Sequence, residues 1–221
     1  MTNAYILHRN RINTKVLYTA RATHYEYYPL VKGNIAPSFL LKSQEQLQSN
    51  TTGHLHKENL ILLEDLLQEQ QPLVAIFYTA GKHKTENIRL FERLHQKITA
   101  KGGKLLVITN VGYLLQGNAN NTIASFDIFE DSRNNVAKAF GLYNPQNPLW
   151  NWVPGIEESE TFLPAFYVIA PDKQIVYHHI DYNFSMFNDP DLLQNAFVQR
   201  LLDSVEQTAN AYYPVSYKLV S

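Results

Sequence analysis

The chain has 221 residues, 45% hydrophobic and 18% charged, which suits a folded domain and excludes an intrinsically disordered one. Its 19 basic and 20 acidic side chains nearly cancel, so neither a phosphate-binding surface for nucleic acid nor a polyionic tail is expected. Cysteine is absent, which removes disulfides, thiolate metal sites and cysteine nucleophiles together.

Residues 1–30 carry Arg9, Arg11, Lys15 and Arg21 but no apolar run long enough for a signal-peptide core. No stretch approaches the length of a membrane span, so a cytoplasmic protein without membrane association is expected. Tyr5, Tyr18, Tyr25, Tyr27 and Tyr28 sit among His8, Arg9, Arg11 and His24. This stretch reads as a short strand or hairpin on the main domain; a dimer arm or aromatic contact surface is the alternative.

Regular patterning starts at Gly33. Residues 35–41 read as a short apolar strand opened by Pro37, where a missing N–H is tolerated. Residues 42–57 read as a loop or ragged hairpin. Leu60, Leu63, Leu66 and Leu67 recur at helical spacing, which predicts a helix over 59–69 that ends at Gln71-Pro72. Residues 73–78 (Leu-Val-Ala-Ile-Phe-Tyr) are continuously apolar, as in a strand covered on both faces. A turn at 80–82 leads to an amphipathic helix over 85–100, with Ile88, Phe91, Leu94, His95 and Ile98 on one stripe and Gly102-Gly103 as its stop. Residues 104–109 read as a second buried strand, which completes a βαβ unit.

Gly117 to Asn121 punctuate a loop. Residues 126–129 read as a short strand, and Asp131-Ser132 as the cap of a helix that runs through Phe140 to Gly141. A Pro-, Asn- and Trp-containing loop fills 143–160. Residues 163–170 and 174–180 form a hairpin about Pro171-Asp172-Lys173. An amphipathic helix over 192–208 closes the domain, and the tail over 209–221 is apolar enough to dock, as an extra strand or otherwise.

Six segments in this order carry a family resemblance. Gly33-Asn34-Ile35-Ala36-Pro37-Ser38-Phe39 is similar to a G-x-x-A-P-x-F lead-in, and 60–66 to the x-L-x-D-L helix that follows it. Residues 73–78 and 104–110 resemble the next two strands. Asp131, Val136, Ala137, Ala139, Phe140 and Gly141 resemble a D-x-x-x-x-v-a-x-a-y-G helix, and 163–176 a P-x-x-f-v-I hairpin. Together they resemble the peroxiredoxin-like (AhpC/TSA, redoxin) group of the thioredoxin fold. The resemblance implies an α/β protein, a three-layer α/β/α thioredoxin-like domain with a central mixed sheet over 33–208, an N-terminal extension over 1–32 and a tail over 209–221. It also implies a cis Pro164 beside the active-site loop, and it allows a homodimer.

In that family a cysteine is activated at the N-terminus of the long helix, where the helix dipole and basic neighbours favour thiolate. Here the loop runs Thr79, Ala80, Gly81, Lys82, His83, Lys84, Thr85, Glu86. One register puts a C-x-x-C pair on Lys82 and Thr85, another puts the cysteine on His83 with Glu86 as the acid, and the ungapped one puts it on Glu86. None supplies sulfur. The strand after Pro164 lacks the arginine that many peroxiredoxins hold beside the sulfur, and Arg133 is no obvious substitute.

No catalytic residue is therefore assigned. The chain reads as a redoxin-like module without the catalytic cysteine that binds an unidentified protein or a small anionic ligand at the degenerate loop. An enzyme with altered chemistry at 79–87, and a structural dimerising module, are the alternatives. Lys82, His83 and Lys84 at a helix start suit an anion or are simply a solvated basic turn. No cofactor or metal is expected: phosphate-loop, zincin and nucleophile-elbow motifs are missing. His54 and His56 lack a third ligand, and adjacent His178 and His179 point to opposite faces of a strand. Trp150, Trp152, Tyr143 and Phe162 read as an exposed patch or as cover for the sheet edge.

Overall fold

The computed structural model describes residues 27–42, 46–48, 60–79, 84–110, 125–151, 161–186, 189 and 191–212. The elements are β1 (Leu40–Lys42), β2 (Gln46–Gln48), β3 (Leu60–Leu62), α1 (Leu63–Leu67), β4 (Leu73–Tyr78) and α2 (Lys84–Ala100). There follow β5 (Lys104–Thr109), β6 (Asp127–Glu130), α3 (Asn135–Ala139), β7 (Ala165–Ile169), β8 (Ile175–Ile180) and α4 (Ala196–Tyr212). The main sheet is mixed, in the order β2-β6-β5-β4-β7-β8, while β1 and β3 form a separate ribbon. Strand β4 pairs parallel with β5 and antiparallel with β7, and β5 pairs parallel with β6. Among the described residues no helix is long and apolar enough to cross a membrane.

All six residues of β4 are buried because both faces of the sheet are covered. Alternation sends Val74, Ile76 and Tyr78 to a core shared with Ile88, Phe91, Leu94 and Ile98 of α2 and Val198, Leu201 and Val205 of α4. It sends Leu73, Ala75 and Phe77 to a second core shared with Leu63, Leu67, Val136 and Phe140. Phe77 lies 4.9 Å from Phe140 and edge-on to Phe162 and Tyr167. The thioredoxin-like arrangement expected from the sequence is present.

The local signals acted as read in several places. Gly102 (φ +82°) ends α2: its N–H reaches the Thr99 carbonyl, and the Gly103 N–H reaches that of Ile98. Gly141 (φ +70°) ends α3 in the same way and lies so close to the lead-in segment that a Cβ would stand 2.1 Å from the Tyr28 carbonyl oxygen.

Other elements differ. The helix expected over 59–69 is a strand followed by the short α1. Leu60, Ile61 and Leu62 pair with β1, and the Asp65 carboxylate accepts the Leu62 N–H at 2.9 Å where the helix starts. Ladder pairing overrides the helical spacing of the leucines. The strand expected over 35–41 is a single bridge at Ile35 followed by β1, and 46–48, within the stretch read as a loop or ragged hairpin, is a strand that edges the sheet against β6. Helix α3 begins only at Asn135, because Asn134 takes a left-handed conformation (φ 54°). Helix α4 runs through Tyr212, past the expected end at 208. The rest of the tail, and the Tyr5, Tyr18 and Tyr25 positions, lie outside the described residues.

Tyr167 is fully buried between Phe77 and Phe140, and among the described residues its hydroxyl has no hydrogen-bond partner; burial pushes its pKa well up. An unsatisfied buried hydroxyl costs about 1–3 kcal/mol. Tyr167→Phe should therefore leave stability in urea unchanged or raise it by about 1 kcal/mol, whereas Phe77→Ala should lower it by about 3–5 kcal/mol. A loss above about 1 kcal/mol in Tyr167→Phe would show that the hydroxyl is bonded in solution.

Candidate functional site

Strands β4, β5 and β6 are parallel, so they finish at one edge of the sheet, at Tyr78, Thr109 and Glu130. Strand β7, antiparallel to β4, starts at that edge, and β8 finishes there. Such an edge is where α/β sheets hold their ligands. Tyr78 is edge-on to Phe91 at 5.2 Å, and Phe91 is edge-on to Phe126. This aromatic contact ties α2 to the sheet, and α2 begins at Lys84 just after β4 ends.

Thr79 is buried at the end of β4. Lys84, Thr85 and Glu86 are the first residues of α2, whose backbone is described there and whose side chains are not. Gly81, Lys82 and His83 lie outside the described residues, as do His54, His56 and Trp152. Pro164 lies at the end of β4: Phe77 pairs with Ala165, so continuing the antiparallel register sets Pro164 against Tyr78.

The cis peptide expected at Pro164 is not found: the bond is trans, as are all peptide bonds among the described residues. The backbone runs into β7 with the Leu163 N–H donated to the Leu142 carbonyl and the Pro164 carbonyl accepting the Asp181 N–H, each at 2.9 Å. Trans is the intrinsic preference of an X–Pro bond, and these flanking bonds form without departing from it.

Two acids near this edge, Asp131 and Asp181, are committed to the backbone. Buried Asp131 accepts the Asn135 N–H on Oδ1 at 2.8 Å and the Ala137 N–H on Oδ2 at 2.9 Å, so it caps α3 from outside the helix. Buried Asp181 accepts the Met186 N–H on Oδ2 at 2.7 Å and the Asn183 N–H on Oδ1 at 3.1 Å. Carboxylates holding two turns in shape are poor candidates for proton transfer. The role of Asp181 was not foreseen, although Asp-Tyr-Asn-Phe-Ser is an Asx-turn signal. Arg133 is exposed beside α3.

The paired histidines do diverge. His178 Nδ1 accepts the Lys32 N–H at 3.0 Å, while His179 stacks on Phe197 of α4 with ring centroids 3.9 Å apart. Among the described residues no three His, Asp or Glu side chains converge as a metal site. Of the aromatic group, Phe162 is fully buried, Tyr143 half-buried and Trp150 exposed.

The AhpC/TSA family matches residues 33–178. Among solved structures, peroxidoxin BcpB from Mycobacterium tuberculosis superposes with a TM-score of 0.55 at 15% identity, over 80% of this chain and 97% of that one. Mycobacterium tuberculosis AhpC does so with 0.54 at 12%, over 87% and 97%. The reduced 2-Cys peroxiredoxin of Plasmodium vivax gives 0.54 at 11%, over 84% and 86%. At such identity the likeness is one of fold. No curated protein matches the sequence.

Asp131→Ala frees two helix-start N–H groups in a buried setting and should cost about 2 kcal/mol in chemical denaturation. A loss below about 0.5 kcal/mol would mean that solvent satisfies those groups and that the carboxylate was dispensable.

Proposed function

The chain belongs to the AhpC/TSA family and has no cysteine, and on that premise we propose that it is a non-catalytic member that binds a partner at the sheet edge where the family's thiol would stand. The observation that carries this reading is the coexistence of an intact scaffold with a missing reactive atom. Helix α2 follows β4, whose end lies against Pro164, and 79–86 offers no sulfur.

Thiol peroxidases work by thiolate attack on a peroxide oxygen. The O–O bond breaks, an alcohol or water leaves, and the sulfur, two electrons poorer, becomes a sulfenate that a second thiol must reduce. Lysine, threonine and histidine have no such cycle. Methionine has, but neither Met1 nor Met186 falls in 79–86, and Met186 is buried in the core between the sheet and α2 and α4. The basic run Lys82-His83-Lys84 at the start of α2 gives the site its chemical character, and it suits an acidic protein segment or a small anion.

The full chain should be assayed with hydrogen peroxide, an alkyl hydroperoxide and a disulfide, each with a dithiol donor. Consumption of donor should match the protein-free reaction for both the native chain and a Lys82→Ala, His83→Ala double variant. Turnover by the native chain above that of the double variant would overturn the proposal.

A further inference from the structure

A latch on the lead-in segment is built into the outer strand of the sheet. Residues 27–36 are tied down by bonds that do not titrate near neutrality. The Leu30 N–H goes to the Phe140 carbonyl, Gly33 N–H to Ile175, Ala36 N–H to Lys173, and the Ile175 N–H to Asn34. The Tyr27 hydroxyl goes to the Asn147 carbonyl, and its pKa lies far above neutrality. The Lys32 N–H differs: its acceptor is the Nδ1 of His178, at 3.0 Å. Nδ1 can accept only while it holds a lone pair, so the ring must be neutral with its proton on Nε2.

We propose that His178 is a proton-operated latch: neutral, it holds Lys32 against β8; protonated on Nδ1, it faces donor to donor and releases the Lys32 N–H. The titratable groups about it are Lys32 itself, Tyr167 as its cross-strand partner on β7, and His179 as the next residue on β8. Among the described residues no carboxylate offsets the charge on His178, and burial lowers its pKa. His179 differs, with Asp181 raising and Arg200 lowering its pKa against a larger effect of burial. Since the folded His178 titrates below its ordinary value, the latch is fully closed above that value and opens as pH falls through the lower, folded one. Gly33 and Asn34 stay bonded to Ile175 on the outer side of β8, so the loosening is confined to Lys32.

The test is amide exchange and histidine-ring NMR on the full chain, from about pH 7.5 to about pH 5, the window in which histidines titrate. After correction for intrinsic exchange, Lys32 protection should fall about fivefold in the native chain, the size of one exposed hydrogen bond. Its midpoint should coincide with the titration of the His178 ring. His178→Asn keeps an acceptor that does not titrate there, and its Lys32 protection should stay flat; in His178→Phe it should be low throughout. A native chain whose Lys32 protection is flat through the His178 titration, or an Asn variant that loses it as the native chain does, would overturn the latch.

Discussion

The structure depends on covering β4 from both sides. A strand with six buried residues exists only if something packs on each face. Helices α2 and α4 do so on one side, and α1, α3 and the lead-in segment on the other. That double cover fixes where α2 starts, because Tyr78 and Phe91 meet at the top of the strand. The edge geometry of the candidate site is thus a by-product of core packing and needs no active-site chemistry to maintain it. Phe77 alone, against Phe140, Phe162 and Tyr167, outweighs the carboxylate contact of Asp131 at the edge: a buried aromatic is worth about 3–5 kcal/mol on truncation, that cap about 2.

A peroxiredoxin-like scaffold can therefore stand without a cysteine. The thiol of such an enzyme contributes reactivity, and the fold is held by other groups. Here Asp131 and Asp181 shape the turns around the edge with both carboxylate oxygens engaged. On the opposite surface of the second core, the Ser38 hydroxyl and the Lys173 ammonium hold Glu64 down to about 2 and join the lead-in segment, α1 and the β7–β8 turn. That cluster is exposed, so its contribution to stability is small.

Much of the fold was legible because burial writes itself into sequence. The unbroken apolar run at 73–78, the stripe of Ile88, Phe91, Leu94 and Ile98, and the helix stop at Gly102-Gly103 are consequences of being covered, or of needing a left-handed residue. Leu60–Leu62 misled because three residues pairing across a ribbon leave no period of their own. Asp131 was identified as a cap, but its reach past Asn134 to Asn135 and Ala137 depends on a left-handed asparagine that local propensity does not announce. The trans Pro164 was not legible, since family resemblance argued for the other isomer. The candidate site could be read only as an absence: composition reveals that 79–86 holds no cysteine, while a ligand or partner leaves no mark in the sequence of this chain alone.

The account stands on the scaffold at α2 having been preserved. Placing a thiol there is the most direct check. In a Glu86→Cys variant, the third residue of α2 would carry the only sulfhydryl of the chain. The pH dependence of its thiolate absorbance gives the pKa. A preserved helix start with basic neighbours predicts a value clearly below the ordinary thiol value of about 8.5; a value at or above it would contradict the account.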